Sequence, residues 1–199
     1  MGPLNAQYLP VHPTNQVYSY ITELSNTGVI IASDYAKPMS RIEIAQILNS
    51  IDASKLNQRQ KKELDFYLMD FRKELVVNKN FDRRLDMFYY RDSLFSFTVN
   101  PILGGNLWSH NKGVAWHWWN GAEAWTTAGK WALWGSLRDN HESERLTQPD
   151  YMNLNYGGAN FKSVGDGQID YWEFRGGITY DFGIGNIGII KDHFSWGSN

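Results

Sequence analysis

The stretch Tyr171-Trp172-Glu173-Phe174-Arg175-Gly176-Gly177-Ile178-Thr179-Tyr180-Asp181 decides the fold. Successive side chains of a strand point to opposite faces. Trp172, Phe174, Gly176, Ile178 and Tyr180 therefore share one face, and Tyr171, Glu173, Arg175, Gly177, Thr179 and Asp181 the other. One face is apolar and the other carries charge. Strands of globular proteins usually run about 5 or 6 residues, whereas a strand crossing a bilayer in a barrel needs about 9 to 11.

The same period of two extends backwards to about Leu94. A first strand sets Phe95, Phe97 and Val99 against Ser96, Thr98 and Asn100, and a second, Val114 to Trp125, carries Trp116, Trp118, Trp119 and Trp125. A third, Lys130 to Arg138, sets Trp131, Leu133 and Leu137 against Ala132, Trp134, Ser136 and Arg138. The quoted stretch is the fourth, and Asn186 to Trp196 reads as a fifth whose faces the pattern does not assign. Thr126-Thr127-Ala128-Gly129 and Phe182-Gly183-Ile184-Gly185 read as tight turns, while Gly104 to Gly113 and Asp139 to Gln168 read as longer loops. Tight turns at one end and long loops at the other are the pattern of an outer-membrane barrel. Five strands cannot close a barrel, because an open edge in lipid leaves backbone groups unpaired. The expectation is a piece of a larger barrel or a soluble sheet.

Upstream the period is that of helices. Val17, Tyr20, Ile21 and Leu24 form one stripe between an N-cap at Asn15 and a stop at Gly28. Ser40-Arg41-Ile42-Glu43 has capping-box spacing and opens a second helix with Ile44, Ile47, Leu48 and Ile51 inward. A third, about Leu56 to Val76, turns Leu64, Tyr67, Leu68, Phe71 and Leu75 inward. Its charged face, with Arg59, Lys61, Lys62, Glu63, Asp70, Arg72, Lys73 and Glu74, reads as a solvated surface. The organisation expected is a mobile N-terminus over 1–14, a helical region over 15–92 and barrel strands over 93–199. Leu4-Asn5-Ala6 before Gln7 reads equally as the tail of a removed secretory signal or as an ordinary terminus.

Composition divides the chain at the same place. All nine Trp lie at or after Trp108, and sixteen of the 18 Gly at or after Gly104. The net charge of −2 leaves no basic field for nucleic acid. The absence of Cys excludes disulfides, thiolate metal sites and Cys nucleophiles. No stretch of 18 apolar residues exists for a transmembrane helix.

The chain resembles the Wzi-like capsule assembly proteins, especially the forms found in Bacteroidetes-type bacteria. The resemblance rests on Pro38-Met39-Ser40-Arg41-Ile42-Glu43, on Glu173-Phe174-Arg175-Gly176-Gly177-Ile178-Thr179-Tyr180 and on Lys191-Asp192-His193-Phe194-Ser195-Trp196-Gly197. It implies an N-terminal helical bundle at the periplasmic end of an antiparallel up-and-down outer-membrane β-barrel, monomeric when complete. It also implies a non-enzymatic surface lectin that binds capsular polysaccharide, with outer-membrane lipid as its other partner. The chain departs from the family in lacking most of the barrel.

Chemistry along the chain is sparse. Gly165-Asp166-Gly167-Gln168-Ile169-Asp170 with Glu173 imitates half of an EF-hand loop, but Lys162 and Val164 fall where ligands belong. The His residues (12, 110, 117, 141, 193) lack metal-ligand spacing, and His117 is expected to face the barrel lumen. No GxSxG, P-loop or Rossmann GxGxxG occurs; no enzyme, metal or cofactor is expected. Glu173, Arg175 and Asp181 are expected on the lumen side, more as structural ion pairs than as a ligand site. The strand Trp residues read as an interfacial girdle. Trp108, His110, Arg145, Tyr151 and Tyr156, expected in outward loops, are the glycan-binding candidates, with aromatic faces for sugar rings and donors for hydroxyls. The other readings are a porin-like solute channel and a soluble secreted β-sheet lectin with a helical cap.

Overall fold

A computed structural model describes residues 8–13, 15–32, 36–75, 84–111, 113–144, 146, 160–164, 167–192 and 194–196. Three helices precede an open antiparallel sheet.

Helix α1 (Gln16–Asn26) starts where expected, with the Asn15 side-chain oxygen accepting from the Val17 N–H at 3.0 Å. After it the chain turns back at Gly28, whose φ of +71° suits a residue without Cβ. Helix α2 (Arg41–Ser50) is capped by Ser40, which accepts from the Glu43 N–H at 3.2 Å. The reciprocal capping box occurs instead at α3 (Gln58–Phe71). There Asn57 accepts from the Gln60 N–H and the Gln60 side chain accepts from the Asn57 N–H. A 3₁₀ turn, Arg72–Glu74, follows α3.

The helices share one apolar core with Val17, Ile21, Leu24, Ile44, Leu48 and Phe71 at its centre. Two tyrosines satisfy buried backbone groups inside it. Tyr18 accepts from the Met39 N–H at 2.9 Å and donates to the Val11 carbonyl at 2.8 Å; Tyr20 donates to the Gln60 carbonyl. Burial pushes the Tyr20 hydroxyl up to about 12.

The strands are β1 (Ala36–Lys37), β2 (Phe88–Arg91), β3 (Phe95–His110), β4 (Gly113–Ala128), β5 (Trp131–Glu142), β6 (Asn160–Val164), β7 (Gln168–Asp181), β8 (Asn186–Lys191) and β9 (Ser195–Trp196). Seven of them form one sheet in the order β2-β3-β4-β5-β7-β6. β6 and β8 share the outer edge of β7, β6 pairing with 168–172 and β8 with 176–181. Among the described residues no strand joins that edge to β2, and the sheet is open. β1 and β9 form a separate two-stranded ladder that ties the chain's last described residues to the helical segment.

Several expectations are corrected. Residues 88–91, placed with the helices, form a strand beside β3, because Phe88 to Arg91 pair with Ser96 to Val99. Residues 104–113 are not a loop. β3 and β4 continue as a paired hairpin to His110 and Gly113. β5 runs through Asp139 and Asn140 to Glu142, and the ladder to β7 continues with it. The fifth strand breaks after Lys191, and its remainder pairs with β1 instead.

Both tight turns occur, with Gly129 at φ +57° and Gly183 at φ +96°, but the first is Gly129-Lys130 rather than 126–129, because Thr126, Thr127 and Ala128 stay paired with β5.

The polarity of the sheet is inverted relative to a water-soluble one. Trp131 is 47% exposed and Leu137 49%, and Leu133, Trp172, Phe174 and Ile178 on the same face are also exposed. On the opposite face Asn140 and Glu142 are each 1% exposed, and Thr98, Glu173, Thr179 and Asp181 are buried too. The faces match the alternation read in β5 and β7.

Candidate functional site

The helices cover the polar face of the sheet near its tight turns. Thr179 donates to the Tyr8 carbonyl at 3.0 Å. The Arg41 guanidinium lies between the rings of Phe71 (4.7 Å) and Trp125 (4.6 Å) and pairs with Glu74 at 2.6 Å and Asp70 at 3.0 Å. Lys73, 2% exposed, sits over Trp125 and pairs with Asp86 at 3.0 Å. Asp86 also accepts from the Asn100 amide of β3 at 3.0 Å. Asp70, Lys73 and Glu74 are thus not the solvated surface that helical periodicity suggested. They are held by residues far away in sequence, which a helical wheel does not show. Burial pushes the Asp70 carboxyl up, but the adjacent Arg41 and Lys73 charges outweigh it and hold it below the usual carboxylate range.

Beyond the helices the polar face carries two hydrogen-bonded groups. His117 Nε2 lies 3.1 Å from the Asn140 side-chain oxygen, and the Asn140 amide donates to Glu173 at 3.4 Å. Tyr171 donates to one oxygen of Glu142 at 3.2 Å, and the Leu146 N–H donates to the other at 3.0 Å. His117 therefore lies on the polar face of the sheet.

Between these groups and α3 lies a cavity of about 460 Å³. Trp119, Glu123, Ser136, Arg138, Glu173 and Arg175 line it from the sheet. Arg138 stands over the Trp119 ring at 5.4 Å and approaches Glu173 at 3.9 Å. Arg175 donates to Asp192 at 2.5 Å and lies over Trp134.

Of the expected lumen residues, Glu173 and Arg175 meet at this cavity, while Asp181 accepts from the Gly183 N–H at 2.6 Å and caps the tight turn. Among the described residues no ion pair joins Glu173, Arg175 and Asp181 to one another; Glu173 approaches Arg138 of β5, and Arg175 pairs with Asp192, just past the end of β8. Trp108 and His110 lie far from the cavity, at the tip of the β3–β4 hairpin, and belong to a strand rather than to the loop expected for them. Trp108 is 44% exposed, and His110 Nε2 lies 3.4 Å from Glu144. Arg145, Tyr151 and Tyr156 lie outside the described residues.

No protein family, curated protein or solved structure matches the chain.

Sequence reasoning gave Glu123 and Glu142 no role, read Trp119 as part of an interfacial girdle although it lies on the polar face, and placed Asn140 in an outward loop although it belongs to β5. The available signal was parity carried across strands: Trp131 opposite Ala128 and Tyr180 extends the known faces of β7 to every residue of β4 and β5.

The outward face has its own polar limit. Trp118 stacks on His141 with ring centroids 3.9 Å apart. His141 also contacts Asp170 at 2.8 Å and Asp139 at 3.3 Å. This cluster ends the apolar band formed by Trp131, Leu133, Leu137, Phe174 and Ile178. Among the described residues no helix is long and apolar enough to cross a membrane, and no cluster of His, Asp and Glu has the form of a metal site.

Proposed function

We propose that the chain forms part of the wall of an outer-membrane β-barrel whose helices sit at the periplasmic end, and that the whole protein is a monomeric, non-enzymatic glycan-binding protein serving capsular or surface polysaccharide. The inverted polarity of the sheet carries the membrane part of this reading. A contiguous apolar face of this size is rare on soluble monomers, whereas barrels turn apolar residues to lipid and polar ones to the lumen. The dimensions agree. From Trp172 to Tyr180 the apolar face of β7 spans roughly 26 Å along the strand, or roughly 20 Å across a membrane at a tilt of about 40°, near the ~25 Å apolar belt of such barrels. Trp131 and Tyr180 stand at one end of this band and Trp118 and Trp172 at the other, which suits aromatic girdles.

The glycan part rests on the resemblance and on Trp108 and His110 at the hairpin tip beyond the band. The helices over the polar face favour this reading above an open porin. Membrane fractionation is the test. The complete protein is expected to stay with outer membranes through high-salt and carbonate washes, to dissolve only in detergent, and to shift on gels when heated. Release by salt alone would overturn the membrane reading. Loss of polysaccharide retention in Trp108→Ala, with unchanged protein in the membrane, is expected; full retention in Trp108→Ala and His110→Ala together removes the hairpin tip as a glycan site.

A further inference from the structure

We infer that the cavity between α3 and the polar face of the sheet binds a small neutral saccharide of one or two rings, at a site distinct from the hairpin tip. The inference deepens the glycan reading and rests on it for the biological source of the ligand, but its geometry stands separately. At about 460 Å³ the cavity falls within the ~300–1,000 Å³ typical of small-molecule sites.

Three polar groups in its wall have bonding capacity to spare. Among the described residues no hydrogen bond or ion pair reaches the Glu123 carboxylate, although Arg41, Lys73 and Arg175 are close enough to act on it electrostatically. Arg138 makes a single long ion pair of 3.9 Å, to Glu173, and otherwise stands over the Trp119 ring. Ser136, directly opposite Glu123 across the β4–β5 ladder, has no hydrogen bond from its hydroxyl among the described residues. A partly buried carboxylate or guanidinium without full hydrogen bonding costs free energy unless a ligand or water completes it.

The floor between these groups is bare. Trp119, Gly121 and Glu123 share the inward face of β4, so Trp119 and Glu123 stand roughly 13 Å apart along the strand. Gly121 sits between them, opposite Arg138. A Cβ there would fall 1.9 Å from the Leu137 carbonyl oxygen, so only glycine fits and no side chain fills the trough. Trp119 itself lies across Gly104 of β3, where a Cβ would come within 2.3 Å of its ring.

The charge balance selects the ligand class. Asp70, Glu123 and Glu173 in the wall face Arg84, Arg138 and Arg175. An ion of either sign meets as many like charges as opposite ones. A neutral polyhydroxylated ring uses both kinds: its hydroxyls donate to Glu123, accept from Arg138 and do either with Ser136, while its C–H face packs on the indole of Trp119.

The test is calorimetric titration of the complete protein in detergent with maltose and N-acetylglucosamine, beside sodium glucuronate and glucosamine hydrochloride as charged probes. Saturable binding of a neutral probe is expected, with a Kd on the order of 1 mM, weaker for both charged probes. Glu123→Gln and Arg138→Met are each expected to weaken it about ten-fold, as loss of one hydrogen bond to a charged group does, and Lys61→Ala on the exposed face of α3 to leave it unchanged. Absence of saturable binding by the wild type overturns the inference whatever the variants do, as does undiminished binding in both folded variants. Binding that needs these residues in a protein that salt strips from membranes refutes the barrel reading and leaves the cavity; a detergent-requiring protein that binds no neutral sugar refutes the cavity alone.

Discussion

Replacing Ile178 by arginine separates a lipid-facing sheet from a water-facing one. Ile178 is 37% exposed on the outward face of β7 and pairs with Leu133 of β5 and Ile189 of β8. In water, arginine at a partly exposed strand position that makes no buried polar contact changes stability by about 0.5 kcal/mol or less. In a bilayer the same charge costs about 2–4 kcal/mol at the midplane and about 0–1 kcal/mol near the interfaces. Ile178 is two residues from Gly176, the centre of the apolar run between Trp172 and Tyr180, so we expect a loss of about 2 kcal/mol. Trp172→Arg, at the rim beside Asp139, serves as the depth control and should lose less of its charge-dependent stability. The assay is reversible guanidinium unfolding of the complete protein in phospholipid vesicles, followed by tryptophan fluorescence. A midpoint for Ile178→Arg within error of the wild type, or above it, would falsify the placement of this face against lipid.

Three further outcomes follow from the helix–sheet contact and the caps. Lys73→Met removes the Lys73 ammonium from the buried Asp86 and should cost about 3 kcal/mol; Lys73→Met combined with Asp86→Leu should recover much of that loss, and an additive double variant would show the two are not coupled. Asp70 has a folded pKa below its unfolded value, so its contribution is complete above about pH 4 and is lost as pH falls through the folded pKa. Acid unfolding should therefore be shallower over that range in Asp70→Asn, which stays weaker at neutral pH. Asn57→Ala removes half of the capping box of α3 and should cost about 1 kcal/mol, measured by thermal melting of helical circular dichroism; an unchanged melt would show the first turn of α3 to be held by tertiary contacts instead.

The alternation in Tyr171 to Asp181 and Trp131 to Arg138, the tight turns at Gly129 and Gly183, the helical stripes and the caps at Asn15 and Ser40 were all legible in the sequence, because each depends on neighbours within a few positions. Where strands end was less legible. Gly104, Gly105 and Gly113 read as a loop, yet the pairing of β3 with β4 carries them in register; a glycine weakens a strand but does not stop a ladder that has a partner. The fifth strand read as continuous, but its end pairs with β1, a partner some 160 residues away by sequence number.

By itself the sequence determined which residues share a face and where the period changes from helix to strand. Only the tertiary structure decided what lies against each face. It set the helices on the charged side of the sheet, buried Lys73 and Arg41 against Trp125, and brought Glu123, Ser136 and Arg138 to one cavity wall. The physical reason is that a period of two is symmetric. It sorts side chains into two sets, and which set is covered depends on cross-strand register and on the surface of a distant element, neither of which is encoded in local spacing.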